Sequence, residues 1–374
     1  MISKLIAASI ALGTALVFGS GAGAQDANLG VGLKLTNEVV NVADVPGFRG
    51  PWLVWDNSAC KFREADDHPA DYTAAVRKIE GNFNFGYMHY GNTNDFGILN
   101  SKSIEDFATR AGFKVNTYNL EFPSQTVPLD HARNSITRSD KGVVQANLSN
   151  ALLPAFYAIL EGEGCIPSLQ LYLASPGYPS MGILWDVAGA IQGEWLAKEA
   201  RARGFDSSKT AFAQCTDPES GPSVNAMFPA SVAALRDNGF ALPEDNLFEL
   251  VCSRSPEAAL QTIRDWFTAN PKFDHVLINV IDEVRMAGVV QAVRQSGMNR
   301  KSILTISNGL DAQGQQLVCS GQNDASVAFF PERYGEWVVP IMQDIMAGNP
   351  VPSLVTNGMK VFTKATIEEA YSCG

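Results

Sequence analysis

The feature that most constrains the fold is a regular alternation of short apolar runs with segments of helical periodicity, which begins at residue 83. The predicted strands are 83–89, 114–120, 142–146, 168–173, 210–215, 247–252, 273–279 and 302–307, with a short extended segment at 181–184. The predicted helices are 98–111, 128–139, 150–161, 188–203, 224–238, 256–269 and 282–296. Such β-α alternation is typical of parallel sheets with helices on both faces. Because it comes in two consecutive blocks, it predicts two doubly wound α/β lobes.

One helix shows how these assignments arise. In the segment 282–296, Met286, Val289, Val290 and Val293 recur at the spacing of a single helical face. Gly297 follows directly, as a glycine commonly does at the end of a helix. The segment is therefore predicted to pack one apolar face against a sheet.

The first 24 residues have the pattern of a cleavable export signal. Lys4 provides a positive start, 5–18 form an apolar stretch, and Ala22-Gly23-Ala24 precedes Gln25 as a small-residue cleavage site. The alternative is an uncleaved membrane anchor, but the apolar stretch is shorter than the roughly 20 residues that a membrane-spanning helix needs. We expect cleavage after Ala24 and an exported mature protein.

The charge and the length narrow the class of protein. The formal net charge is −11, whereas nucleic acids and anionic lipids are bound by surfaces rich in Lys and Arg. Binding to nucleic acid is therefore not expected. The 350 residues left after cleavage exceed what one hydrophobic core usually holds, so two domains are expected.

All six cysteines follow the predicted cleavage site, and an even number in an exported protein permits disulfide bonds. Cys215 and Cys252 both end strand-like runs and are the favoured pair. Buried free thiols remain the alternative. No spacing among the Cys and His residues matches a zinc site, so no metal is expected.

Residues 25–80 lack the alternation and form a predicted N-terminal arm. They contain Pro46, Pro51 and Pro69 and an apolar patch at Trp52-Leu53-Val54-Trp55. An arm packed on a lobe is the preferred interpretation, and a docking surface for a partner is the alternative.

Enzyme motifs are missing from the sequence. It contains no nucleophile elbow, no phosphate-binding Gly-Lys loop, no H-E-x-x-H zinc motif and no dinucleotide-binding glycine motif. His89 could serve as a base, but no nucleophile is indicated beside it. We expect a binding protein without a cofactor, and an exported hydrolase is the remote alternative.

Aromatic, amide and charged side chains gather where the predicted strands end, and ligands of doubly wound sheets bind beyond the carboxyl ends of the strands. The candidate ligand-binding residues are Tyr90, Asn94, Phe96, Tyr172, Trp185, Asn225, Arg254, Asp282, Asn308 and Phe329. Rings suit the C–H faces of a hydroxylated ligand, and Asp, Asn and Arg suit its hydroxyl groups. The alternative is that these residues only form turns and helix caps.

Four stretches resemble the type I periplasmic binding proteins, especially the ribose- and galactose-type sugar-binding subunits of ABC importers. They are 82–113, with NFNFGYMHYGNTNDFG at its start; 140–147, DKGVVQAN; 273–297 with ILTISNG at 303–309; and 325–364, which begins ASVAFFPERYGEWVVP and ends VFTK. The resemblance extends over about 82–370.

The resemblance implies a two-lobed protein whose chain crosses between the lobes near 186–187, 330–331 and 359–360. Lobe 1 would comprise 81–186 and 331–359, and lobe 2 would comprise 187–330 and 360–374. The implied function is capture of a sugar, polyol or related compound in the periplasm by hinge closure, with delivery by a monomer to the membrane permease of an ABC importer. The alternative partner is the ectodomain of a sensor kinase.

Carried over one at a time, Asn94 and Phe96 fall where members of this family bond and stack their sugar. Arg254 falls where an aromatic ring is common. Asp282 stands in place of the family's Asn, and Asn308 stands in place of its Asp.

Three positions depart further from the family pattern. Phe329 falls where an amide is frequent. The family's Asp-Arg pair would fall at 172–173, which are Tyr and Leu, and its ring-oxygen Arg would fall near Asn225. These departures predict a pocket that is less polar and more aromatic than a monosaccharide site.

Overall fold

The protein is described by a computed structural model. The described residues are 33–35, 47–70, 72–74, 83–89, 95–119, 126–146, 151–172, 174–218, 222–253 and 255–373. The predicted signal peptide, 1–24, lies outside them.

Most strands fall where the apolar runs predict them. The strands of the described residues are β1 Leu33–Leu35, β2 Gly47–Asp56, β3 Lys61–Glu64, β4 Tyr72–Ala74, β5 Phe83–His89, β6 Phe113–Asn119, β7 Val143–Gln145, β8 Ser168–Leu171, β9 Ser180–Gly182, β10 Thr210–Thr216, β11 Leu247–Val251, β12 His275–Val280, β13 Ile303–Gly309, β14 Ala325–Ala328, β15 Val351–Thr356 and β16 Lys360–Thr363.

The seven predicted helical segments are all helical, within a few residues at each end. The segment 224–238 is divided between two helices, and the helix 312–319 lies outside the predicted segments. The helices of the described residues are α1 Asp95–Arg110, α2 Val127–Thr137, α3 Leu153–Ile159, α4 Trp185–Ala202, α5 Pro222–Asn225, α6 Met227–Asp237, α7 Pro256–Ala269, α8 Glu283–Gln295, α9 Ala312–Cys319 and α10 Tyr334–Ala347. Several begin at capping side chains that satisfy a free backbone N–H; Ser255, for example, accepts a hydrogen bond from the N–H of Ala258 at 3.1 Å.

Two sheets divide the described chain into two lobes. The lobe 1 sheet has the strand order β3-β2-β15-β9-β8-β7-β5-β6, and the lobe 2 sheet has the order β11-β10-β12-β13-β14-β16. Strands β1 and β4 form a separate antiparallel pair. The predicted fold class, two doubly wound α/β lobes, is confirmed.

The sequence predicts parallel sheets, but both sheets also contain antiparallel pairs. Strand β2 pairs antiparallel with both β3 and β15, and β16 pairs antiparallel with β14. These strands lie at or near sheet edges and come from segments outside the β-α alternation. Residues 47–64, predicted to belong to an N-terminal arm, form two strands of the lobe 1 sheet.

Neighbouring residues of the strands point to opposite faces of each sheet, and each face is covered by helices. In β10, Phe212 packs into the core beneath α4, whereas Ala211 and Ala213 pack into the core beneath α7 and α8. In β7, Val143 and Val144 divide in the same way between the two cores of lobe 1. The predicted apolar face of α8 is buried at all four of its positions.

The chain passes between the two sheets three times. The first passage is 183–184, between β9 and α4; the second is 329–333, between β14 and α10; the third is 357–359, between β15 and β16. Three crossings make a hinge about which two lobes can move as bodies.

Disulfide bonds pair all six cysteines. Cys215–Cys252, the predicted pair, joins the ends of the adjacent strands β10 and β11 and is confirmed. Cys60–Cys165 ties the β2–β3 hairpin to lobe 1, and Cys319–Cys373 ties the C-terminal segment to α9.

Within the ranges that the structure describes, no helix has both the length and the apolar character needed to cross a membrane.

Candidate functional site

The lobes meet where the carboxyl ends of the strands of both sheets face each other. Phe96, in the first turn of α1, packs against the buried cores of both lobes. Its ring lies 5.9 Å from the ring of Tyr172 in lobe 1, and about 3.9 Å from where a side chain at Gly309 of lobe 2 would begin. This cleft is where the rule for doubly wound sheets places a ligand.

Tyr172 holds an uncommon backbone conformation directly after β8. Its φ is +71°, in the left-handed region, and its side chain is buried. Gly182 permits this arrangement, because a Cβ at position 182 would lie 2.7 Å from the backbone N of Tyr172. Such strained residues concentrate at functional sites. The ring of Tyr172 also lies 5.8 Å from that of Tyr334.

On the lobe 2 side, Trp185 begins α4 and supplies an aromatic wall. Its ring meets the ring of Phe329 edge to face at 5.7 Å. Val224, Met227 and Ile281 pack around it. The indole Nε1 is buried and has no hydrogen-bond partner in the structure. Its N–H is therefore a donor that a ligand could use.

Two amide side chains near this wall also have unused acceptors. Asn308, 1% exposed at the end of β13, donates from Nδ2 to the carbonyl of Val280 at 3.1 Å and contacts the sulfur of Met227 at 3.5 Å. Its Oδ1 has no partner, and neither does the Oδ1 of Asn225. A buried polar atom left unsatisfied costs about 1–3 kcal/mol. A ligand that donates to these oxygens and accepts from Trp185 would remove that cost.

Asp282 has a structural role in addition to its predicted one. Its carboxylate caps α8 by accepting from the N–H of Arg285 at 2.8 Å, and it also accepts from the guanidinium of that residue. Arg285 is 3% exposed and donates further to Asp217 at 2.8 Å and to the carbonyl of Cys252 at 2.9 Å. Each of the three guanidinium nitrogens of Arg285 thus donates a hydrogen bond, while the side chain of Asp282 remains 39% exposed.

Behind the strand ends of lobe 2 lies a pair of buried carboxyl groups. Burial, and next the charge of Asp311, raise the pKa of Glu283 to about 8, although Ser307, Ser326 and the N–H of Leu310 all donate to it. Burial also raises the pKa of Asp311 to about 6, and the carboxylates of Asp95 and Asp282 add to that increase. At neutral pH the pair therefore retains one proton, which Glu283 mainly carries.

Of the ten predicted ligand-binding residues, the structure brings Phe96, Tyr172, Trp185, Asn308 and Phe329 to the boundary between the lobes. Asn225 lies beside this group, at the end of α5 and next to Val224. Tyr90, Asn94 and Arg254 lie outside the described residues.

Sequence reasoning missed Met227, Tyr334 and Asn357. Met227 and Tyr334 begin helices and are buried, so their apolar character is ordinary and does not distinguish a cleft from a core. Asn357 lies between two strands, where an Asn normally indicates only a turn.

His89 is buried at the end of β5 and its ring lies 5.9 Å from that of Tyr87. No group of three or more His, Cys, Asp or Glu side chains suited to a metal ion occurs among the described residues. Among the described residues, the boundary between the lobes offers aromatic rings and the unpartnered polar atoms of Trp185, Asn225 and Asn308.

A two-lobed α/β structure with an aromatic cleft at its hinge defines the class of bilobal ligand-binding proteins. Residues 171–350 match the family described as a periplasmic binding protein domain. No curated protein matches the chain by sequence. The sequence match covers 180 of the 374 residues, and the two-lobed α/β fold is consistent with that family.

Solved structures with the same fold include three bacterial sugar-binding proteins. A solute-binding protein from Actinobacillus succinogenes with bound D-allose is 16% identical, with a TM-score of 0.64 over 77% of this chain and 100% of that one. A sugar-binding protein from Bacillus halodurans is 15% identical, with a TM-score of 0.66 over 78% of this chain and 100% of that one. The periplasmic binding protein component of an arabinose transporter from Shewanella, bound to L-arabinofuranose, is 13% identical, with a TM-score of 0.65 over 76% of this chain and 93% of that one. At these identities the likeness establishes the fold.

Proposed function

We propose that this protein is a solute-binding protein that captures a sugar, polyol or related hydroxylated compound and delivers it to an ABC importer. The observation that carries the proposal is the set of unpartnered polar atoms, Trp185 Nε1, Asn225 Oδ1 and Asn308 Oδ1, beside aromatic rings at the hinge. The sugars bound by the structural relatives support the same class of ligand.

The chemistry of the cleft fits a neutral ligand of this kind. A hydroxyl group can donate to an amide oxygen and accept from an indole N–H, so one ligand can satisfy both kinds of atom. The apolar faces of its ring would lie against Phe96, Tyr172 and Phe329. Tyr90, Asn94, Arg254 and Asp282 complete the proposed set of contacts.

Capture would proceed by closure of the lobes around the ligand. Phe96 of lobe 1 already contacts the core of lobe 2, so a ligand between them gains contacts from both sides when the lobes approach. Such a ligand binds the closed form better than the open form and shifts the population toward it. The closed protein, a monomer in the periplasm after cleavage at Ala24, would be the form that the permease binds.

A thermal-shift screen across sugars, polyols, aromatic acids and larger apolar metabolites identifies the ligand class. A compound at 100 times its Kd stabilises the folded protein by about 2.7 kcal/mol. We expect shifts with hydroxylated compounds, and mass spectrometry of the recovered compound should show it unaltered. Shifts with apolar compounds alone would overturn the proposed ligand class, and recovery of an altered product would overturn binding without catalysis.

The site is tested by replacing its unpartnered indole. Trp185→Phe removes one hydrogen bond and part of the wall, and we expect the compound found in the screen to bind about five- to tenfold more weakly. Trp266→Phe is the matched control, because the Nε1 of Trp266 is also buried without a partner but lies in the core beneath α7. Equal affinity for the two variants would contradict the assignment of Trp185 to the site.

A further inference from the structure

Asn357, which begins the third passage, is bonded to the second passage and to the residue that precedes the first. Its backbone N–H donates to the carbonyl of Gly182, at the entrance to the first passage, at 3.4 Å. Its side-chain Nδ2 donates to the carbonyl of Phe329, in the second passage, at 2.9 Å. A further contact, 3.3 Å long, joins Nδ2 to the carbonyl of Gly358. The side chain of Asn357 thereby bonds the third passage to the second, and its backbone continues the pairing of β15 with β9.

The surroundings of Asn357 make these bonds effective. The residue is 2% exposed, so water does not readily replace the bond to Phe329. Its Oδ1 has no partner in the structure, which means that the side chain is retained despite the cost of a buried unsatisfied acceptor. An apolar residue of similar size would avoid that cost, and this favours a role for the Nδ2 donor.

The bond to Phe329 also reaches the candidate site. Phe329 carries the ring that meets Trp185 edge to face at 5.7 Å, and its own N–H donates to the carbonyl of Gly309 at 3.2 Å. The carbonyl held by Asn357 and the ring at the cleft belong to the same residue. The side chain of Asn357 therefore holds the backbone of a residue that forms part of the wall of the site.

We propose that Asn357 is a positioning residue whose side chain makes the second and third passages bend as one unit and stabilises the closed arrangement in which Phe96 of lobe 1 contacts the core of lobe 2. The bonds are present in a structure whose lobes are in contact through Phe96. Separating the lobes requires the passages to change their backbone angles, and bonds between passages oppose independent changes. The inference rests on the proposed capture by closure but not on the identity of the ligand.

The matched control is Asn323, in the loop before β14. It is 0% exposed, its Nδ2 donates to the carbonyl of Ala325 at 2.6 Å and to Ser307 at 2.8 Å, and its Oδ1 also lacks a partner. Asn323→Ala therefore removes equivalent bonds inside lobe 2 and none in the hinge.

Hydrogen exchange of the ligand-free protein, followed by mass spectrometry, separates a hinge role from a general loss of stability. We expect Asn357→Ala, which removes only the side-chain bonds, to accelerate exchange in peptides covering the second and third passages and to lower the closed-to-open ratio about fivefold, the usual effect of one hydrogen bond. The radius of gyration from small-angle scattering should rise. Asn323→Ala should accelerate exchange in lobe 2 alone. Faster exchange confined to 357–359, or in both passages for both variants, would overturn the proposal.

Asn357→Asp provides a second test, with a readout that a purely structural role would not move. A protonated carboxyl can donate to the carbonyl of Phe329 as the amide does, whereas a carboxylate cannot, and burial favours the protonated form. We expect the radius of gyration of Asn357→Asp to match the wild type at pH 5 and to exceed it at pH 8. Asn357→Ala should stay expanded at both values. The same pH response in both variants would refute the role of the donor.

A ligand screen without any hit would instead count against the proposed function and leave this result standing.

Discussion

Glu283 offers the sharpest test of the electrostatics of lobe 2. Its carboxyl group is 1% exposed, and burial with the nearby charge of Asp311 raises its pKa from an ordinary 4.5 to about 8. Between these values the folded protein keeps a proton that the unfolded chain has released. Because the folded state binds more protons across that window, its stability falls as the pH rises. Raising the pH from 6 to 8 should cost about 2 kcal/mol from this group alone.

Glu283→Gln removes the titration and preserves the shape. The amide oxygen can still accept from Leu310 and Ser326, and the NH₂ group can donate to the hydroxyl of Ser307. The variant should therefore lose about 2 kcal/mol less than the wild type between pH 6 and 8, which corresponds to about 3 °C in Tm for a chain of this length.

Denaturant unfolding or calorimetry at several pH values measures this difference. Glu249→Gln, at an exposed position on β11, controls for the loss of one negative charge. If Glu283→Gln and the wild type lost stability in parallel, the raised pKa of Glu283 would be refuted. A parallel loss in the control and the wild type is expected.

Three further outcomes follow from the geometry. Replacing Cys60 and Cys165 with Ser removes a bridge across 105 residues and should lower the free energy of unfolding by about 4–5 kcal/mol; an unchanged denaturation midpoint would contradict this. Gly182→Ala should displace the backbone of Tyr172 at a cost of about 1–3 kcal/mol and weaken ligand binding; normal affinity in a titration would show that Tyr172 does not depend on this glycine. Asp282→Ala should lower the free energy of unfolding by about 1 kcal/mol more than Asp282→Asn, which keeps the helix cap; equal losses in denaturant would exclude a capping role.

The sequence predicted the elements of the fold well because their signals are local. The four apolar residues of α8 recur at helical spacing and are buried, and the helix 256–269 has both predicted ends. Trp185 and Asn308 could be chosen as candidate ligand-binding residues because they follow or end predicted strands, and the end of a strand is also a local signal. The same pattern did not show that Arg285 would bind Asp217 and the carbonyl of Cys252, since those contacts depend on the closeness of the ends of β10 and β11.

The sequence by itself determined that the chain folds as two α/β lobes, because alternation of apolar runs and helical faces leaves few other ways to bury both kinds of surface. Only the tertiary structure decided which distant segments meet. It placed β2 beside β15, joined Cys60 to Cys165 and brought the second passage to Asn357 of the third. The physical reason is that hydrogen bonds and disulfides between remote residues follow from how the sheets are assembled, and a local pattern of hydrophobicity does not specify that assembly.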